Sequence, residues 1–472
     1  MTNLAENPAG LSPDAAGAAA RSLAEECPGC VHLPGTPDYD SGRFAWNLAV
    51  DQRPVAVALP STVEDVRRVV RTAARLGLRV SVQSTGHAAA VLAQHRLGDV
   101  VLVRTGALRG VHIDPVNKVA RIEAGACWQD VIDAAAPHGL TALHGSAPDV
   151  GVVGYTLGGG LSWYARKHGL AANSVVAVEV VDADGEVVRA DSESRPDLFW
   201  ALRGGGGNFG VVTTIEIELL PIAEAYAGMM IWDIERAPEV LRTYAQWSET
   251  APDEVTASFR IFRFPPIPDL PDFLSGRNLA ILDGAILLDD EAASDVLAPF
   301  RALGPEMDTF ARVPSATLTD LHMDPPGPTP AAAGGVVLSR LNEDGVAAFL
   351  QQVGPDSGTE VFMAELRLLG GALSHSANGA GAIDRIDGSH VVFLVCVAPT
   401  PEAAAAGEAA ISGVLAAVEP WRAERNFLNF ADRPVDVSRV FDAETWQRLQ
   451  AVKADVDPAG LFLANHAITG QG

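Results

Sequence analysis

Apolar positions along residues 55–87 change period twice. VAVAL (55–59) is a continuous apolar run of strand length. Val66, Val69, Val70 and Ala73 then recur at helical spacing. Ser61-Thr62-Val63-Glu64 opens that helix as a capping box, a hydroxyl first and a carboxylate three residues on, and Gly77 closes it. Alternation returns at 78–82 and ends in Ser84-Thr85-Gly86-His87. The unit reads β-α-β, with a glycine loop at the carboxyl end of its second strand.

The same reading continues downstream. VVLV (100–103) predicts a strand. Asp114-Pro115-Val116-Asn117 predicts a turn between VHI and VARIEAG, and Trp128–Ala136 a helix closed near Gly139. VVAVEVVDADGEVVRA (175–190) predicts a hairpin turning at Asp184-Gly185. DLFWALRGGGGNFGVVTTIEIEL (197–219) predicts a short helix, a glycine loop and a strand. After Pro221 the texture becomes alternating strands and acidic helices, interrupted by Pro-rich loops at 264–273 and 324–335. Residues 421–472 return to a compact, motif-rich pattern. The predicted division is therefore 1–222, an inserted 223–420, and a tail 421–472 that rejoins the first unit.

Composition narrows the ligand. The 472 residues carry 34 Lys and Arg against 59 Asp and Glu, a net charge of −25, which disfavours nucleic acid and anionic membranes as partners. No apolar run reaches the ~20 residues that a membrane helix needs. The first 26 residues lack the basic and apolar regions of a secretory signal, so a cytoplasmic location is expected. Four cysteines are too few for a disulfide framework. Cys27-Pro28-Gly29-Cys30 lacks a second ligand pair for zinc, since Cys127 and Cys396 stand alone, and no metal is expected. The pair reads as a loop with two thiols.

The glycine loops carry the chemistry. GxxxxGK[ST] is absent, which argues against phosphoryl transfer. Gly205-x-Gly207-x-x-Gly210 matches GxGxxG, but a helix precedes it and a strand follows, the reverse of a dinucleotide fingerprint. Three small-residue loops remain, at 84–90, 144–160 and 204–210. Small side chains let backbone N–H groups approach an anion, and they equally serve tight turns. An α/β protein cradling a phosphate-bearing cofactor is the reading the residues support.

Four stretches go further: VQSTGHAA (82–89), GYTLGGGLSWYARKHGLAANSV (154–175), DLFWALRGGGGNFGVVT (197–213), and the tail NFLNFADRP with DPAGLF. Together they resemble the berberine bridge enzyme-like flavoproteins of the vanillyl-alcohol oxidase (PCMH-type FAD) superfamily, whose relatives include the 6-hydroxy-D-nicotine oxidases and the carbohydrate oxidases. The resemblance implies an α+β fold: a PCMH-type FAD-binding domain of two α/β subdomains, with an inserted substrate domain built on an antiparallel sheet covered by helices. It implies FAD, bonded through its 8α-methyl to His87, with Gln83, Ser84, Thr85, Gly86, Gly145, Ser146, Val150, Gly151, Gly154, Tyr155, Gly158, Gly159, Gly210, Val211 and Asn429 around it. A neutral imidazole is a competent nucleophile near pH 7. Doubly linked relatives place cysteine where Ala147 stands, so a single link is expected. Val150 is small enough in such proteins to leave O2 access, which favours an oxidase.

The resemblance further implies hydride transfer from a substrate C–H to the flavin, with a base taking the adjacent O–H or N–H proton and O2 as the final acceptor. Partners would be a small organic substrate and O2, and the protein a monomer or homodimer. Phe427 stands where many relatives have the tyrosine of the tail motif. Glu365, Arg367 and Tyr155 are the catalytic candidates. The period of two puts Glu365 and Arg367 on one strand face, either toward the flavin or in a remote cross-strand pair. Arg260 and Tyr164 stand behind them, while His375 and His390 read as solvated loop residues. A flavin dehydrogenase, an oxidative cyclase and a non-catalytic FAD-binding protein are the alternative functions.

Overall fold

A computed structural model describes residues 10–469 except 269 and 326. The outermost residues of the first and last predicted segments, 1–9 and 470–472, lie outside the described residues.

The β-α-β unit forms as its periodicity predicts. Strands Ala56–Ala58 and Arg79–Gln83 both lie parallel to Val100–Arg104. Helix Val63–Leu76 buries Val66, Val69, Val70 and Ala73 beneath them. Its capping box sits one residue later than expected: Thr62 is the N-cap, and Asp65 returns the bond to the Thr62 N–H. Glu64 instead pairs with Arg67. Gly77 closes the helix at φ 71°, a left-handed conformation that a side chain disfavours.

A second sheet is antiparallel, in the order Val111–Asp114, Val119–Glu123, Val211–Glu218, Val175–Val181, Val187–Asp191. The glycine loop before Val211 follows the kinked helix Pro196–Gly205, as the inverted fingerprint requires.

Residues 224–397 build the third sheet, eight strands, all antiparallel. Its period-two alternation sorts the two faces. Phe259, Ile261, Ala364 and Leu366 join a core under helices Ala237–Ser248, Asp290–Arg301, Glu343–Val353 and Pro401–Val418. Ser258, Arg260, Asp283, Glu365 and Arg367 are buried on the other face. The predicted loop 324–335 ends early, because Ala331–Leu338 is a strand of this sheet. His390 is likewise no solvated loop residue; it begins strand His390–Val397 and is buried against Tyr244. His375 is exposed.

The tail crosses back to the first sheet. After helix Ala443–Val456, Leu461 and Leu463 bracket Val80 through two backbone hydrogen bonds of 2.8 and 2.9 Å, covering the edge strand. Lys453 is buried and donates to Asp457, the Asn208 carbonyl and the Phe462 carbonyl. Cys27 and Cys30 lie in the turn after helix Pro13–Glu26, as expected, and both are buried and unbridged, packed toward helix Val63–Leu76. Burial pushes the Cys30 thiol up to about 12, so it is inert near neutrality.

Candidate active site

His87 follows the edge strand and is anchored on two sides. Its Nδ1 lies 2.8 Å from Thr85 Oγ1, and its ring stacks on Trp46 at 4.5 Å between centroids. Nε2 is 3.8 Å from Asp149 Oδ1, beyond hydrogen-bond reach. Asp149 also accepts from the Trp46 indole N–H. Burial lowers the imidazole to about 4, against the opposing pull of Asp149, so the ring is neutral at physiological pH. The loop itself is pinned by Arg104, which donates to the carbonyls of Gly42, Phe44 and Ser84.

The loop 144–151 packs directly against 84–87. A Cβ on Gly151 would stand 2.9 Å from Ser84 Oγ. The contact also explains the glycine: two loops meet there at backbone distance. Gly86 is at φ 91° with Ala45 and Gln83 each 3.0 Å from an added Cβ. Gly145 faces the Tyr155 ring, Gly158 faces Asn429, and Gly159 faces Phe427. These glycines serve close packing of protein on protein. Gly154, Gly206 and Gly207 have open space beside them, so their backbone is uncovered by other protein atoms.

The remaining sequence candidates sort by what their side chains touch. Gln83 exchanges amide bonds with Gln52 at 3.1 and 3.2 Å, so its side chain is committed inside the fold. Ser84 Oγ is buried without a partner. Ser146 and Val150 are half-buried beside Asp149, and Ala147 is buried between them. Gly210 presses on Val180, and the Val211 side chain is buried in the core, so only their backbone is available to a ligand. Asn429 donates to the Tyr155 carbonyl at 3.0 Å and accepts from Gly160 N–H at 3.3 Å; it ties the tail to the GGG turn.

Neither tyrosine suits a base. The Tyr155 and Tyr164 hydroxyls are buried without a hydrogen-bond partner, and burial raises both phenols well above their ordinary range. Glu365 accepts from Ser258 and Arg367 at 2.8 and 2.7 Å. Burial opposes its charge, but Arg367 and His322 outweigh burial and hold the carboxyl far below its usual range. It is a fixed anion, too acidic to hold a proton near neutrality. The Arg367 guanidinium lies over Trp163 and Phe430, on the side of the GGG turn and the tail motif.

Trp46, Asp149, His322 and Asp432 are absent from the sequence reading. Asp149 lies only two residues past Ala147, inside a loop already singled out. Trp46 and His322 reach the site from distant segments with no local motif. Asp432 lines a cavity of about 240 Å³ with Asn47, Ala90, Ala93 and Ala333; burial pushes its carboxyl up to about 7, where it both takes and gives protons.

Residues 54–191 match the family described as FAD binding domain. The chain carries an FAD-binding domain. It is 36% identical over 205 residues to (R)-6-hydroxynicotine oxidase of Paenarthrobacter nicotinovorans, covering 43% of this chain and 44% of that protein. It is 29% identical over 269 residues to chitooligosaccharide oxidase of Gibberella zeae, covering 56% and 52%. The chain thus spans about half the length of the curated relatives it matches. The chain also shares its overall fold with Physcomitrella patens BBE-like 1, at a TM-score of 0.82, 21% identity and coverage of 96% and 99%. 6-Hydroxy-D-nicotine oxidase from Arthrobacter nicotinovorans gives 0.77, 23%, 94% and 98%. No helix among the described residues is long and apolar enough to cross a membrane.

Proposed function

We propose that this protein is an FAD-dependent oxidase. It takes hydride from a C–H next to an O–H or N–H of a small organic substrate and passes the electrons to O2, giving H2O2. FAD is held by one covalent bond to His87, with residues 223–420 shaping the substrate side. The observation that carries this reading is the state of His87: a neutral imidazole, one nitrogen engaged by Thr85, the other unpaired between two small-residue loops.

The residues present fit the cofactor. Ser84 Oγ offers a buried, unused hydroxyl, and Gly154, Gly206 and Gly207 offer bare backbone. Loops 84–87 and 144–151 would hold FAD, and FAD when bound supplies the two-electron chemistry. Asn429 fixes the turn 155–160, and Phe427 seals Gly159. Ala147 leaves no thiol for a second bond. Val150 keeps the loop open to O2. All four cysteines are unbridged, which supports a reducing cytoplasm as the working compartment.

The test is to precipitate the purified protein with acid and ask whether flavin stays with the pellet, then repeat with His87→Ala. Flavin retained by the wild type and lost from the variant supports the bond. Screening amines, alcohols and oligosaccharides for peroxide release tests the oxidase. Flavin bound without reduction by any of them, and without peroxide, refutes that part.

A further inference from the structure

His322 belongs to no motif, yet it sits at the centre of the buried polar face of the third sheet. It follows the turn Ser315–Asp320, and its carbonyl accepts from Arg260 Nη1 at 2.9 Å. Its ring lies 4.8 Å from the Trp163 ring. Nδ1 is 3.1 Å from Asp283 Oδ2, and Nε2 is 3.5 Å from Glu365 Oε1. Nε2 is also 2.6 Å from Arg367 Nη2. A guanidinium only donates, so this contact requires Nε2 to be an acceptor and puts the single ring proton on Nδ1, which is near Asp283 but makes no hydrogen bond to it.

Charge pulls toward a second proton. Arg260 and Arg367 pair with Asp283 and Glu365, and Asp324 lies two residues away on the same segment. Burial and Arg260 oppose a charged imidazole, but Asp283 and Glu365 outweigh them and raise His322 above its ordinary value, so the acceptor state stands on the Arg367 contact alone. A proton added at Nε2 would set two donors against each other at 2.6 Å. Arg367 itself spends Nε on Glu365 and Nη2 on His322, so Nη1 is without a protein partner among the described residues, between Trp163 and Phe430.

We propose that His322 is a positioning residue for the oxidation, an inference that rests on the oxidase reading. As an acceptor it holds Arg367 so that Nη1 meets an electron-rich atom of the substrate. When it takes a second proton it releases Arg367, and turnover stops. Activity is therefore lost as pH falls through the His322 titration.

The flavin-loaded protein provides the test. Trp163 reports on the adjacent ring, because a protonated imidazole quenches indole emission. The wild type is expected to show an emission transition between pH 5 and 9 that is missing from Trp163→Phe and from His322→Gln. With the substrate found by peroxide release, His322→Ala lowers kcat at least tenfold at every pH. His322→Gln, which still accepts from Arg367 and cannot be protonated, recovers most of that loss and lacks the acid limb of the pH profile. A wild type with no emission transition overturns the proposal, even if a variant fails to fold. So does an acid limb unchanged in His322→Gln. Bound flavin with no peroxide from any substrate refutes the oxidase reading separately, because the emission titration needs no turnover.

Discussion

The neutrality of His87 has a consequence that can be measured during cofactor attachment. Only the unprotonated imidazole is nucleophilic, so the attachment rate follows the neutral fraction. With the ring at about 4, about 90% is neutral at pH 5. An imidazole at its ordinary value of about 6.5 would be only roughly 3% neutral there. Trp46 is the ring that covers His87, stacked at 4.5 Å with an interplanar angle of 20°. Trp46→Ala readmits water to one face, which relieves the burial that dominates the shift, and it frees Asp149 to stabilise the charged ring. Both changes raise the histidine toward its ordinary value. The wild type should attach flavin at pH 5 almost as fast as at pH 7. Trp46→Ala should slow by an order of magnitude or more over the same interval, on the way to a ~25-fold limit. The assay mixes apoprotein with FAD at each pH, quenches with acid and counts flavin in the pellet against time. A wild-type midpoint near 6.5, or a Trp46→Ala profile that overlays the wild type, would show that burial does not set the state of His87.

Four further outcomes are expected. Lys453→Met leaves Asp457 buried without its cation and removes one of the ties between Asn208 and the C-terminal segment, costing about 3–5 kcal/mol in urea unfolding; a change below 1 kcal/mol refutes the clamp. Burial holds His144 at about 4 and His390 at about 3, so both are neutral in the fold while the unfolded chain takes up protons from about 6.5 downward. Their stabilisation is complete above that value and is lost as pH falls; together they should remove about 3–4 kcal/mol between pH 7 and pH 5, against a flat urea midpoint if the reasoning fails. Gly159→Ala puts a Cβ 2.7 Å from the Phe427 ring at φ 120°, and the backbone strain alone should cost about 1–3 kcal/mol, read as a lowered thermal midpoint; an unchanged midpoint refutes it. Ala147→Cys should give peptide-bound flavin even in a His87→Ala background, detected by the mass of the flavopeptide; free flavin in that double variant would place residue 147 away from the cofactor.

Local periodicity was enough to determine the helices and strands near the first loop. Val66, Val69, Val70 and Ala73 can share a face only on a helix, and Gly77 ends it because a left-handed residue without Cβ costs nothing there. The inverted order around Gly205–Gly210 was also legible, since helix-before-loop depends on neighbours in sequence. So was the shared face of Glu365 and Arg367, which the strand period dictates. The capping box was displaced by one residue because Glu64 and Asp65 compete for one role, and only the shorter aspartate returns to the Thr62 N–H. Which way the face of Glu365 points was left open by the chain. Strand alternation assigns sides relative to one another, and only the helices packed on Phe259 and Leu366 decide which side is the core. Trp46 and Asp149 meet at His87 across 103 positions, and His322 meets Arg367 across 45. Such contacts leave no periodic trace, because each depends on where whole sheets come to rest. Even the state of His87 belongs to the tertiary structure, since the same imidazole in an unfolded chain has water on every side and titrates near its ordinary value.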